Sequence, residues 1–284
     1  MVVPTFGSAY EVAIYLNKKG LLKQICKKLK IKNKKIDLNP LKKYVAIEKQ
    51  KSKLTIGILG NSESFDSFVS INEAVKHAAI SKGFNAKTSW FPFNKTGAEQ
   101  QWLNTISGAI VCEDLQFSKK KLSIIRQLRE KNIPLLGISA GSHLCLIEFL
   151  RNAAGNKNAN SPEIDAKTTS PCTVLKPLTL GEHSTKLSNN SLSKKIYNKK
   201  IVKERYRYYA NINPKTIRQC KKYGLKPTGI SLKKGEIDFV EYSKNSFYLL
   251  TMAHPEFRSR PLKPHPLFKH LIENAEKYSR KKEN

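Results

Sequence analysis

The six residues Gly137-Ile138-Ser139-Ala140-Gly141-Ser142 constrain the fold of this chain more than any other feature. They follow the apolar run Ile133-Pro134-Leu135-Leu136 and precede a helix-like stretch over 144–150. That order is strand, sharp turn, helix, with a serine at the apex: the nucleophile-elbow pattern G-x-S-x-G. A strained turn that lifts a side chain above a sheet edge leaves no room for a Cβ on either flank, and glycine meets that demand. The helix that follows aims its free N–H groups and positive dipole end at the serine.

A second segment sharpens the expectation. An apolar strand over 247–253 runs into His254-Pro255-Glu256, so the histidine and the glutamate sit at a strand's carboxyl end. Open parallel sheets form their sites at those ends. Ser139, His254 and Glu256 are therefore expected to meet as nucleophile, base and orienter. Strands are expected at 55–59, 86–91, 109–111 and 134–138, alternating with helix-like stretches at 65–82, 122–131 and 144–151. Residues 172–180 and 237–242 read as later strands, 156–166 as a loop and 266–278 as a closing helix. The alternation predicts an α/β fold, a mostly parallel sheet flanked by helices. Ser70-Ile71-Asn72-Glu73 has capping-box spacing, which would start the first of those helices after Phe65.

Several segments in order, at 130–138, 147–152, 158–165, 204–208, 224–229 and 254–268, resemble the class I glutamine amidotransferase domain of CTP synthase. The similarity runs over about residues 53–277. It implies a flavodoxin-like amidotransferase fold. Residues 10–22 look like the last helix of that family's synthetase domain, the rest of which is absent from this sequence. The expected division is residues 1–52 as an N-terminal helical appendage and linker, and 53–284 as the amidotransferase-like domain.

The departures from the family bear on function. Its elbow reads G-[IV]-C-L-G-M-Q, with the cysteine as the glutaminase nucleophile. Here Ser139 takes that place, Ala140 the leucine's, Ser142 the methionine's and His143 the glutamine's. The family's P-G-G-x-G oxyanion loop falls where this chain has Cys112-Glu113-Asp114-Leu115-Gln116, with no glycine. The arginine that reads the glutamine carboxylate is replaced by Tyr209, while Glu163 matches the acidic residue that holds the substrate's amino end. His254 and Glu256 match the family's catalytic pair. A serine needs a strong base and a full oxyanion hole where a cysteine does not. Loss of a charge-assisted carboxylate contact costs ~2–3 kcal/mol, or ~30–150-fold in binding. Little or no glutaminase activity is expected.

Two functions remain. One is a serine hydrolase or acyl transferase acting on an amide or ester through an acyl-enzyme on Ser139. Ser-Ala-Gly at the elbow is also similar to the nucleophile region of the aspartyl dipeptidases and cyanophycinases. His254 would then move the Ser139 proton to the leaving amine, and Glu256 would fix the imidazole. The Ala140 N–H would supply one oxyanion donor and the segment around Glu113 the other. Glu163, Glu113 and Asp114 would favour an amine-bearing acyl substrate, although Glu113-Asp114 also reads as a solvated turn. His143, on the first turn of the elbow helix, could contact substrate or cap polar groups. Tyr209 and Cys112 complete the substrate pocket. The alternative is a catalytically inactive pseudo-glutaminase that serves as a binding or regulatory partner.

Composition bounds the remainder. The 284 residues are 39% hydrophobic, enough for one large α/β domain. No apolar run approaches the length that spans a bilayer, and the amino terminus lacks a signal-peptide pattern. The cysteines at 26, 112, 145, 172 and 220 are odd in number and form no C-x-x-C pair, which suits the reducing cytoplasm. Cys145 is expected in the core of the elbow helix, Cys112 at a strand end beside the site. The histidines at 77, 143, 183, 254, 265 and 270 show no zinc-like spacing, so no metal is expected, and no cofactor. The net charge of +30 suggests nucleic acid, but lysine runs are scattered and carry no aromatic-basic stacking pattern, which argues against it; the lysine richness reads as an AT-biased genome and leaves another anionic partner open. The apolar face of the 10–22 helix has two uses open to it, packing on its own domain or forming a homodimer.

Overall fold

The computed structural model describes residues 3–34, 36–60, 68–92, 97–112 and 118–283. The chain begins with α1 (Ala9–Lys18), α2 (Leu21–Lys28) and α3 (Asn39–Glu48). The α/β body follows as β1 (Leu54–Leu59), α4 (Val69–Ser81), β2 (Ala86–Trp90), α5 (Ala98–Thr105), β3 (Gly108–Val111), α6 (Lys119–Glu130), β4 (Leu135–Ile138) and α7 (Ala140–Asn152). Next come β5 (Thr173–Leu187), α8 (Leu192–Tyr197), β6 (Ile201–Ile212), α9 (Pro214–Cys220), β7 (Leu225–Ser231), β8 (Ile237–Tyr242), β9 (Tyr248–Thr251) and α10 (Pro266–Glu283).

Among the described residues these strands form one nine-stranded sheet in the order β2-β1-β3-β4-β9-β8-β7-β5-β6. The half from β2 to β9 is parallel. Its inner strands β3, β4 and β9 are buried on both faces and read as continuous apolar runs, while the edge strand β2 is half-exposed and mostly polar. Period-two geometry still sorts them. Ile110, Leu136 and Leu249 enter a core shared with α4 and α10, while Ala109, Val111, Leu135 and Leu250 enter a second core with α5, α6 and α7. Helices thus cover both faces, as the sequence pattern predicts. Across the second core, Arg129 of α6 makes a bidentate pair with Glu148 of α7 at 2.9 and 2.7 Å, both side chains buried.

From β9 to β6 the pairing is antiparallel, an extension that the expected parallel sheet leaves out. β6 then curls back towards the parallel half: Tyr206 bridges Ala253, and the His254 N–H donates to the Arg205 carbonyl at 2.8 Å. The helix after β1 begins at Val69, one residue before Ser70, and Phe68 at its amino end provides no side-chain cap. The capping box expected at Ser70 is therefore not formed. α7 starts at Ala140, directly after the serine, four residues earlier than the apolar pattern suggests. The five cysteines are buried thiols, and none is in a disulfide.

α1 packs on its own chain. Tyr10 and Ile14 lie against Tyr44, Val45 and Ile80. The Tyr10 hydroxyl donates to Glu73 Oε2 at 3.0 Å and lies 2.7 Å from His77 Nε2. His77 Nδ1 lies 3.0 Å from Ser259 Oγ. A neutral imidazole with its proton on Nε2 satisfies all three contacts: Ser259 donates to Nδ1, Nε2–H donates to Tyr10, and Tyr10 donates to Glu73. Burial pushes the His77 pKa from 6.5 down to about 4, opposed by Glu73 and aided by Arg260 and Lys76. The unfolded chain therefore takes up this proton first. The stability held in the contact is intact above pH 6.5 and drains away as pH falls from 6.5 to about 4. The melting temperature is expected to drop across that window, and His77→Gln to reduce the drop. An identical pH profile in the variant would remove His77 from the account.

Candidate active site

β4 ends in the elbow. Ser139 has φ 51° and ψ −121°, a left-handed conformation that a residue with a Cβ adopts only under constraint. The constraint is visible in the flanking glycines. A Cβ on Gly141 would stand 2.0 Å from the Val111 carbonyl oxygen, and one on Gly137 would stand 2.7 Å from Leu250 Cδ2. The elbow helix therefore rests against the end of β3, and β4 against β9. Thr251 of β9 fixes the turn from the other side. Its carbonyl accepts from Ser139 N at 2.8 Å and from Ser142 Oγ at 2.9 Å, and its own N–H donates to Ser142 Oγ at 3.1 Å. Ser142 is fully buried, and that double contact is its use.

Three residues beyond Thr251 comes His254. Its Nδ1 lies 2.8 Å from Glu256 Oε1. The carboxylate can only accept, so Nδ1 carries the proton and Nε2 is left as the basic nitrogen. The ring stacks on Phe257, with centroids 5.3 Å apart and planes 20° apart. Glu256 is buried, and its Oε2 has no hydrogen-bond partner among the described residues.

Ser139 Oγ points towards the Arg207 carbonyl, 3.5 Å away, at the outer limit of a hydrogen bond. Ala140, as the first residue of α7, places its N–H at the open amino end of the helix. His143 is buried, with Nδ1 2.9 Å from Glu163 Oε2, within ion-pair reach but out of line for a hydrogen bond. Glu163 is steadied by Ser161, whose Oγ accepts from Glu163 N at 3.2 Å and donates to Glu163 Oε2 at 3.3 Å.

A cavity of about 340 Å³ gathers Cys112, Ser139, Ala140, His143, Glu163, Tyr209, His254 and Glu256. These are all the residues expected at the site that fall within the described chain. Glu113 and Asp114 lie outside the described residues. Cys145 is in the core, as expected. His143 is a cavity wall facing Glu163, which takes it away from a capping use. Arg207, Phe68 and Ile71, which no motif in the sequence marks out, also line the cavity. For Arg207 a signal existed: β6 alternates buried and exposed residues from Ile201 onward, so Arg207 and Tyr209 share a face.

A strained elbow between parallel strands, with a histidine–carboxylate pair on the adjacent strand end, defines an α/β protein of the glutamine amidotransferase class. The chain belongs to the class-I glutamine amidotransferase family, whose family model matches residues 63–274. Among its relatives, the CTP synthase of Pyrococcus furiosus is 33% identical over 290 residues, covering 96% of this chain and 54% of the relative. That of Methanocaldococcus jannaschii is 34% identical over 286 residues, covering 93% and 53%. The chain spans about half the length of the curated relatives it matches. The solved glutaminase domain of Trypanosoma brucei CTPS with bound acivicin superposes with a TM-score of 0.71 at 23% identity, covering 79% of this chain and 94% of that one. That match supports the fold.

Because the Gly141 contact is with backbone, nothing nearby can swing aside. Gly141→Ala should lose more than about 2 kcal/mol by urea unfolding, through overpacking at a fixed turn. A variant of wild-type stability would mean that α7 can back away from β3 at little cost.

Proposed function

We propose that this chain cleaves an amide or ester through an acyl-enzyme on Ser139, with His254 as base and Glu256 as its orienter. The observation that carries this reading is the strained serine that shares one cavity with a hydrogen-bonded histidine–carboxylate pair. Backbone strain of about 1–3 kcal/mol at a residue with a Cβ persists where a side chain must be presented. In the proposed step, Ser139 Oγ attacks the acyl carbon and its proton passes to His254 Nε2. The amine or alcohol leaves with that proton, and water or a second amine then takes the acyl group. The Ala140 N–H, at the amino end of α7, would meet the developing oxyanion.

The pocket suggests the substrate's ends. Glu163 beside His143 suits an amino group. At Tyr209, half-exposed on the cavity rim, the guanidinium that would read a glutamine carboxylate is missing. The relatives named are CTP synthases, and glutamine is therefore the reference substrate to test rather than the favoured one.

One observation favours a second reading, a glutaminase-like domain that binds without turnover. The Ser139 hydroxyl is turned to the Arg207 carbonyl rather than to His254. Intact-mass spectrometry after a fluorophosphonate probe separates the two. A single adduct that maps to Ser139 and is lost in Ser139→Ala is expected; no adduct on folded protein would leave the binding reading. Separately, Tyr209→Arg is expected to tighten glutamine binding about 30-fold or more by restoring a charge-assisted contact. Unchanged affinity by calorimetry would remove Tyr209 from the account of specificity.

A further inference from the structure

One wall of the Ser139 cavity is a strand edge. β6 is the last strand of the sheet, and its main-chain groups point alternately to β5 and away from it. The Arg205 carbonyl points away from β5, since it accepts from His254 N at 2.8 Å. Residues two apart on a strand present their N–H and C=O groups to the same edge, so those of Arg207 and Tyr209 also face away from β5. Exposed and buried side chains alternate without a break from Ile201 to Ala210, so β6 is regular over this stretch. The chain after β9 covers the free edge as far as the bridge between Tyr206 and Ala253. Past that bridge the Arg207 carbonyl meets Ser139 Oγ at 3.5 Å, and the Tyr209 N–H and C=O are bonded to no described residue. Arg207 and Tyr209 both line the cavity. An open strand edge of this kind is a template for a further strand.

The Ser139 hydroxyl is a second, separate observation. It donates to that edge carbonyl instead of turning to His254. An amide N–H arriving with the substrate would take the Arg207 carbonyl and release the hydroxyl to His254 Nε2. A substrate with no N–H beside its acyl carbon would leave the hydroxyl where it is.

We infer that the substrate is a peptide bound in extended form along the free edge of β6. The residue that supplies the scissile carbonyl donates its N–H to the Arg207 carbonyl. The peptide carbonyl two residues nearer the amino end accepts from Tyr209 N–H, as antiparallel pairing requires. This rests on the acyl-enzyme reading and names its substrate class. Ser139 Oγ bonds to the acyl carbon, the peptide C–N bond breaks, and the amine leaves with the proton that His254 took from Ser139. Water then splits the ester, which yields the free acid and restores Ser139.

The test is the rate at which Ser139 of the full chain is labelled, followed by intact mass. Three probes are compared: an alkyl fluorophosphonate, Ala-Ala-Ala diphenyl phosphonate with phosphorus in place of the scissile carbonyl, and the same peptide methylated on the nitrogen nearest phosphorus. The unmethylated peptide is expected to label at least about tenfold faster than the methylated one, which lacks the N–H for Arg207. Tyr209→Pro removes the edge N–H where proline is tolerated, because that N–H points off the sheet. Labelling by the unmethylated peptide should then be about fivefold or more slower than in Tyr209→Ala, which keeps the N–H. Equal rates for the two peptides, with Ser139 labelled by the fluorophosphonate, overturn the edge pairing and leave the acyl-enzyme standing. So does labelling by the fluorophosphonate alone. No labelling by any of the three overturns the acyl-enzyme and the peptide with it. Equal rates in folded Tyr209→Pro and Tyr209→Ala overturn the part given to Tyr209. The comparison of the two peptides uses the unaltered chain, so it stands even if Tyr209→Pro fails to fold.

Discussion

Everything at the Ser139 cavity depends on how Thr251 is held. Its carbonyl and N–H are both engaged by the elbow, through Ser139 N and the Ser142 hydroxyl. The same residue is the last of β9, and His254 follows three positions on. Nucleophile and base candidates therefore come from segments more than a hundred residues apart in sequence but share one backbone anchor. In a parallel pair the strands run side by side to the same end, so both ends open on one edge of the sheet. The Ser142 contact makes that register specific, since its buried hydroxyl finds both a donor and an acceptor only opposite Thr251. An apolar side chain at 142 would forfeit both contacts, and glycine at 137 keeps the space beside Ser142 open, since a Cβ there would stand 3.3 Å from Ser142 Oγ.

The inner strands of the parallel half were legible in sequence because they are buried on both faces, where continuous apolar residues fit. Residues 237–242 were bounded correctly, although buried Asp238 and Glu241 interrupt the apolar residues of that strand. The antiparallel half was only partly legible. β6 went unread because its inward face is polar: Glu204, Tyr206 and Tyr208 alternate with Arg205, Arg207 and Tyr209. Period two is present, but in polarity and aromatic content rather than in hydrophobicity. α5 was missed because it starts on Gly97 without a side-chain cap and is mostly polar. At the site, Ser139, His254 and Glu256 were legible because an elbow motif and a strand end fix them locally. The Arg207 carbonyl was not, since a backbone acceptor leaves no mark in the sequence.

The polar interior of the antiparallel half explains how it curls over the site. Tyr206 stacks on His183 at 3.5 Å between ring centroids and bonds to Thr185 at 2.7 Å. His183 and Thr185 both reach Asp238, which is fully buried on β8. Tyr208 donates to Glu236 at 2.6 Å. Hydrogen bonds fix orientation in a way that apolar packing does not, so β6 is held at a defined tilt. That tilt carries its opposite face, with Arg207 and Tyr209, over Ser139. Chemistry on one face of a strand is thus set by hydrogen bonds on the other.

The Pro255–Arg258 turn joins the Ser139 cavity to a second cavity on its far side with very little chain. His254 and Glu256 line one, and Phe257 and Arg258 line the other. Phe257 also stacks on the His254 ring, so the imidazole plane is bounded by a residue that belongs to the neighbouring wall. The turn is pinned at its base, where His254 N bonds to Arg205 and Ser259 N bonds to Glu256. Proline at its first position and these two bonds leave the four-residue turn little freedom, so one short piece of backbone sets both the imidazole and the cavity wall beyond it.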